Sequence, residues 1–585
     1  MRNKNSFISW ADLIPESYRV FAAGYSRGML SKDILAGLTV GVIALPLAVA
    51  FAIGAGATPA QGLWTAILAG FVIAVLGGSR YQVSGPTGAF VVVIAGVISA
   101  HGMDGLFTTT LVAGILLLLL GISGLGKLIK FIPYPVITGF TTGIGLIIAG
   151  GQLKDFLGLS IPDYPVEFFP RLAAVAGALG SFGPAAFILG LGTILTIVAI
   201  RRFVPRLPAS IVAVALTALA AFLLDLPVET IGSRFGAIPR GLPHLALPDL
   251  SLATIQAVFP SAITIAMLGA IESLLSAVVA DGMTGDKHSA NSELAAQGIG
   301  NILSSFIGGI PATGAIARTA ANIKNGAKSP ISAMVHALVL LAFTMLFGAA
   351  ASAIPLATLA GVLLVVAWDM SDLERFWSMR LAPRSDVLVL LVTFGLTVLI
   401  DLSVAVQVGI IMAMLLFMRR VAQTATVGPV LDFMDADIGL RVSEPGMAIP
   451  HGVEIYEIDG PFFFGTADLF QDVLARIESP PRAFILRMRR VPAIDATAMN
   501  ALETFRKRFE KMGTHLVLSG VGEQPRKALD SIGFTDRIGK DNICATIDDA
   551  LVRVGEVLAR IDREGGSRAH VHIPGLGHGH KKNGK

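Results

Sequence analysis

Five stretches of this chain, Ile34–Ile53, Leu106–Leu120, Ala185–Ile200, Ile331–Phe347 and Val387–Ile400, contain no Asp, Glu, Lys or Arg. With small flanking residues they approach the roughly 20 apolar residues that cross a bilayer as a helix. In hydrocarbon every backbone polar group must be paired inside the protein. The constraint points to a bundle of membrane helices. Composition agrees: 54% of the 585 residues are hydrophobic and 15% charged, against about 25% charged in soluble domains. One cysteine, Cys544, excludes an internal disulfide and a cysteine metal cluster.

Hydropathy places about fourteen segments, near 34–54, 60–77, 86–100, 104–124, 134–152, 184–201, 208–225, 254–280, 292–307, 312–323, 331–350, 355–370, 385–400 and 402–418. Residues 1–33 mix charges and aromatics without a compact apolar core and read as a cytosolic lead-in. With that end inside, the loops after even-numbered segments hold Arg80, Lys127, Lys130, Arg201, Arg202, Arg206, Lys287, Lys324, Lys328, Arg375, Arg380 and Arg384. The loops after odd-numbered segments hold only Lys154, Arg171, Arg234 and Arg240. This bias sets the orientation by the positive-inside rule, with both termini in the cytosol.

The expected division is a membrane domain at 34–418, a linker at 419–446, a soluble α/β domain at 447–562 and a tail at 563–585. In the soluble part, 453–458, 483–488 and 515–520 read as strands. Between the last two lies a helix with Asp495 as N-cap and Gly513 as its stop. The Gly-, His- and Lys-rich tail, with His570, His572, His578 and His580, reads as solvated and disordered rather than metal-binding.

Within the membrane part, "PTGA" (86–89) and "ATGA" (312–315) each follow a Gly-Gly pair. "IPYPVITG" (132–139) and "IPLATLAG" (354–361) repeat I-P-x5-G at a similar offset. One half therefore repeats the other, and seven segments per half make the repeat inverted, a signature of secondary transporters. A helix that begins in mid-membrane leaves backbone N–H groups unpaired, and these with the helix dipole favour an anion. Two such starts, at Thr87, Gly88, Ala89 and at Ala312, Thr313, Gly314, Ala315, are read as an anion site. The alternative is close helix packing through small residues.

Two ionisable groups lie deep in segments, where charge is costly. Arg318 is expected to add positive potential to the site, or to pair structurally. Glu272, with Ser276 one turn on, opposes an anion unless it binds a proton or a cation. Burial disfavours an ionised carboxyl, so proton coupling is expected; the alternative is a structural Glu272–Arg318 pair.

These residues resemble the sulfate permease (SulP) family of anion transporters. The match runs through "DILAGLTVGVIALPLAVAFA", "SGPTGAFVVV", "GAIESLLSAVVADGMTG", "NSELAAQGIGN" and "ARTAANIKNGAKSPISA" to a soluble part similar to the STAS domain. The resemblance implies an all-α fourteen-segment 7+7 inverted repeat with elevator-like motion, a small cytosolic α/β STAS domain, and a homodimer in the cytoplasmic membrane. It implies that Pro46 and Phe51 lie beside the substrate. Glu272 and Ser276 stand where sodium-coupled members have Asp and Thr, which puts the proton ahead of sodium. Trp64 replaces the second tyrosine of the family's Y-G-L-Y motif. "GAIESLL" and "VADGMTG" resemble bacterial C4-dicarboxylate permeases, so proton-coupled uptake of an acid such as succinate is expected, with sulfate, bicarbonate or an uncoupled channel or motor as alternatives. The STAS part implies dimer contacts or a cytosolic regulatory partner, with Thr497 as a lesser candidate for phosphorylation. Nucleophile–base sets, nucleotide loops and metal-ligand clusters are absent from the sequence, so neither an enzyme, a cofactor, an ATP pump nor a nucleic-acid partner is expected.

Overall fold

The computed structural model describes residues 10–126, 133–165, 167–204, 207–236, 243, 245–400, 402–429, 449–463 and 480–565. Lys127, Lys130, Arg206, Arg240 and the four tail histidines lie outside them. The chain divides into one compact unit ending at Ala413 and a second beginning at Met414.

Every expected membrane segment contains a helix. The elements run Arg27–Gly54, Pro59–Leu76, Gly88–Ile122, Tyr134–Leu157, Pro184–Phe203, Ala209–Leu223, Leu252–Thr284, Ala290–Phe306, Ile316–Lys324, Ile331–Ala351, Leu356–Ser371, Arg384–Leu399 and Leu402–Thr424. Segments three and four share the Gly88–Ile122 stretch, which is broken at Gly102 (φ 68°), a conformation that favours glycine. Among the described residues, nine helices are long and apolar enough to span a membrane. The protein is thus an all-α membrane bundle followed by an α/β domain.

Two departures matter for the site. The first helix starts at Arg27, before the expected 34, because Ser26 caps it through the Met29 amide. Ahead of it the helix Glu16–Ala22 lies on the bundle: Glu16 is buried and accepts from Arg80 Nε at 2.7 Å, and its amide donates to the Gly77 carbonyl. The described part of the lead-in is therefore packed. The second segment carries a π-helical turn at Thr65–Ala69, a feature frequent at functional sites.

The two broken segments meet. Strand β1 (Ser84–Gly85) pairs antiparallel with β2 (Thr313–Gly314), Ser84 opposite Gly314 and Gly85 opposite Thr313. The Ala315 amide extends the ladder to the Val83 carbonyl at 2.9 Å. Chain that cannot be helical at membrane depth thus satisfies its backbone through its repeat mate.

In the second unit a five-stranded sheet has the order β3 (Thr426–Pro429), β4 (Val453–Asp459), β5 (Ala483–Arg490), β6 (His515–Ser519), β7 (Ile543–Cys544), parallel except for β3. One face is covered by the helix Ala496–Met512, whose Phe505 and Phe509 pack edge-on and tilted against Phe484. The other packs Ile455, Ile485 and Val517 against Ala550 and Val554 of the helix Ile547–Gly565. Asp495 caps the first of these helices through the Ala498 amide at 2.8 Å, and Gly513 (φ 73°) ends it. Strand β3 comes from the stretch read as linker, and the Leu402–Thr424 helix runs past 418. "TVGP" carries no hydrophobic alternation, so pairing with β4 alone makes it a strand.

Candidate functional site

Directly after β1 and β2 the chain enters two helices. Their caps, Thr87 and Ala315, are both extended, and neither side chain accepts from its helix's first turn. The first-turn N–H groups of Gly88–Ile122 and Ile316–Lys324 are therefore not capped from within. This brings Thr87–Ala89 and Ala312–Ala315 together around one ladder, as the repeat implied.

Thr87 is spent otherwise: its hydroxyl donates to Glu272 Oε2 at 2.7 Å, across from the Leu252–Thr284 helix. Gly88 abuts Phe51; a Cβ there would stand 3.3 Å from the phenyl ring and 2.6 Å from the Met370 sulfur. Pro46 is buried in the Arg27–Gly54 helix and supplies no N–H to the Val42 carbonyl, which loosens that helix before Phe51. Ala312 is buried with its amide and carbonyl both held by Asn301, at 2.8 Å each. The Thr313 hydroxyl donates to the Gly269 carbonyl at 2.8 Å, and Gly314 sits against Gln82 and Ser273.

Arg318 is 2% exposed. Its Nη2 donates to the Pro86 carbonyl at 2.6 Å, the residue just before the Thr87 cap, while Nη1 is buried without a partner. The approach is close enough that a Cβ on Gly85 would stand 2.8 Å from Nη1. Among the described residues neither Glu272 nor Arg318 forms an ion pair, so the alternative of a structural Glu272–Arg318 bridge is not met. Each takes a neutral partner from the first broken segment instead. Ser276 shares the helix with Glu272, but its hydroxyl donates to Thr319 Oγ1 at 3.0 Å, and that oxygen also accepts from the Val83 amide.

A second buried carboxyl escaped the sequence reading. Glu293 is 1% exposed. It accepts from the Gly78 amide at 2.9 Å, Gln82 Nε2 at 2.7 Å, Gln297 Nε2 at 3.1 Å and Ser273 Oγ at 3.3 Å. Gln297 also reaches Ser84 Oγ at 2.9 Å. Together with Asn301 these residues form a polar stripe at i, i+4, i+8 on one face of Ala290–Phe306. The stripe is visible in "NSELAAQGIGN", but Glu293 in a first turn reads as an ordinary dipole-favoured acid. Thr65, at the π-turn, completes the set by accepting from the Ile310 amide at 2.8 Å.

Comparison with known proteins identifies the family and the fold. The Sulfate permease family profile matches residues 30–393 and the STAS domain profile residues 444–550. The chain is 39% identical over 526 residues to the "Putative sulfate transporter YvdB" of Bacillus subtilis, covering 89% of this chain and 97% of that one. It is 33% identical to the "Bicarbonate transporter BicA" of Picosynechococcus sp., covering 89% and 94%. In fold it is similar to murine Solute Carrier 26 family member A9, an anion transporter in the inward-facing state, with TM-score 0.82 at 20% identity over 95% and 96% of the chains. The transmembrane domain of a cyanobacterial BicA superposes with TM-score 0.58 at 33% identity, covering 67% of this chain and 98% of that one.

Proposed function

Because this chain belongs to the sulfate permease family of anion transporters, we propose that it is a secondary active transporter. It carries a small oxyanion through the space between the two helix starts, with Glu272 holding the coupling proton. The observation that carries the reading is Arg318: a buried guanidinium with one nitrogen unpartnered, beside uncapped helix N-termini. An unpaired buried charge costs several kcal/mol, and an entering anion relieves that cost. Pro86 and Thr87, adjacent in the chain, link the two charges. An anion that takes the Thr87 hydroxyl removes the hydrogen bond that steadies the Glu272 carboxylate. The carboxyl then holds a proton more favourably, so anion and proton favour each other's binding.

The subfamily motifs favour a C4-dicarboxylate such as succinate. The names of the similar relatives bring sulfate and bicarbonate to this chain as competing candidates. The same reading has the protein as a multi-pass homodimer in the cytoplasmic membrane with both termini in the cytosol, and its STAS domain in dimer contacts or binding a cytosolic partner.

The test is uptake of labelled succinate into proteoliposomes with and without an inward proton gradient, with sulfate and bicarbonate as competitors. Gradient-driven accumulation lost in Glu272→Gln is expected. Equal accumulation by Glu272→Gln would overturn the coupling role, and flux only down the gradient would leave an uncoupled anion pathway.

A further inference from the structure

Of the four basic residues in loops after odd-numbered segments, three fall among the described residues. Lys154, Arg171 and Arg234 line one cavity of about 360 Å³. It lies at the end of the bundle where the Arg27–Gly54 helix finishes, away from the Arg80, Lys287 and Lys328 loops. Its walls are Ile53 and Gly54 from that helix, Ala95 and Ile98 from Gly88–Ile122, and Gln152 and Asp155 from the end of Tyr134–Leu157.

The cations are held in place. Arg171 is 8% exposed; its Nε donates to the Pro165 carbonyl at 2.9 Å and its guanidinium lies 5.4 Å from the centre of the Tyr164 ring. Arg234 is offset by Asp155 at 2.8 Å and by Glu229. Lys154 donates to the Ile161 carbonyl at 2.6 Å and is in no ion pair among the described residues. Asp155 and Glu229 thus offset Arg234, Glu167 lies near enough to act on Arg171, and the Lys154 ammonium stands outside any ion pair among the described residues.

A thin layer separates this cavity from the helix starts. A Cβ on Gly54 would stand 3.3 Å from Leu363 Cδ1 and 3.5 Å from both Gln152 Nε2 and Val91 Cγ1. Val91 lies one turn beyond Gly88, and Gly54 one turn beyond Phe51. Two apolar side chains and one amide thus stand between the cation-lined space and the Phe51–Gly88 contact.

We infer that this cavity is a second anion site, a capture chamber that concentrates a small oxyanion above the Val91–Leu363 layer before it passes to or from the helix starts. It rests on the transport reading and adds a sided prediction to it. Cation-lined clefts raise the local concentration of an anion, an effect that salt weakens. Such a chamber acts on capture from its own face.

The experiment uses the full-length protein in sealed vesicles of both orientations. Initial rates are measured for labelled sulfate, bicarbonate and succinate at low and high ionic strength. For whichever anion is carried, Lys154→Gln should raise KM roughly three- to tenfold for entry from the chamber face, and that shift should shrink at high salt. KM from the opposite face should stay within about twofold, and Lys154→Arg should restore wild-type behaviour. An unchanged KM on the chamber face, or equal shifts on both faces, overturns the chamber while leaving transport intact. A wild-type protein that moves none of the three anions overturns the transport reading, and the chamber with it.

Discussion

The two broken segments are repeat mates, yet they contribute different chemistry. The first, through β1 to Gly88, ends in a neutral cap, Thr87, whose hydroxyl is committed to a carboxyl from another helix. The second, through β2 to Ile316, ends in a bare alanine and carries a cation at Arg318 that reaches back to the first segment's Pro86. The ladder makes them equal in backbone and unequal in charge: the first half presents a neutral hydroxyl, while the second brings both a fixed cation, Arg318, and the carboxyl that can change its protonation, Glu272. Duplication provides the geometry, and divergence at a few positions divides the labour.

The comparison breaks most severely at Arg318. Arg318→Gln removes the fixed charge and should lower anion uptake at least about thirtyfold, in keeping with about 2–5 kcal/mol for losing one partner of a buried charge contact. Arg318→Lys should not restore it, since a single ammonium cannot hold Pro86 and an anion in the same geometry. Tracer flux in proteoliposomes decides both; substantial uptake by Arg318→Gln would put the fixed charge elsewhere.

Next come the residues that hold the segments. Asn301→Ala leaves the Ala312 amide and carbonyl without partners, at about 1–3 kcal/mol for each buried group. It should lower the melting temperature of the purified protein more than Thr319→Val, which orphans the Val83 amide and leaves the Ser276 hydroxyl to turn to a carbonyl of its own helix. A reversed order would show the first segment to be the more dependent on side chains.

The two carboxyls then separate. Glu293→Gln should cost about 1–3 kcal/mol of stability while accumulation still follows the proton gradient. Glu272→Gln should do the opposite. Gradient dependence lost in Glu293→Gln would move the coupling site onto the polar stripe. Smallest is Thr87→Val, which removes one hydrogen bond to a charged group and should raise KM about tenfold, near 1.5 kcal/mol.

Much of this architecture can be read along the chain. Gly-Gly pairs ahead of "PTGA" and "ATGA" mark where helices cannot continue, and the charge-free runs mark where they must. Partner choice is another matter. Thr87 meets Glu272 from 185 residues away, and spacing along either helix says nothing of it. The possible Glu272–Arg318 bridge fails for the same reason: two opposite charges in neighbouring segments invite pairing, yet the Pro86 carbonyl and the Thr87 hydroxyl stand nearer. The role of Glu293 was hidden because four of its donors come from three separate stretches, at Gly78, Gln82, Ser273 and Gln297.

The ladder between β1 and β2 also sets a clock on biogenesis. Ser84 emerges from the ribosome about 230 residues before its partner Gly314, a delay on the order of ten to fifty seconds at ordinary elongation rates. For most of that interval Gln82, Ser84 and the Val83 amide sit in or near the bilayer with their future partners, Ser273, Glu293, Gln297 and Thr319, untranslated. The first half of the chain is thus an assembly waiting for its counterpart, and a nascent protein stalled before residue 314 should be held by the insertion machinery, or degraded, rather than released.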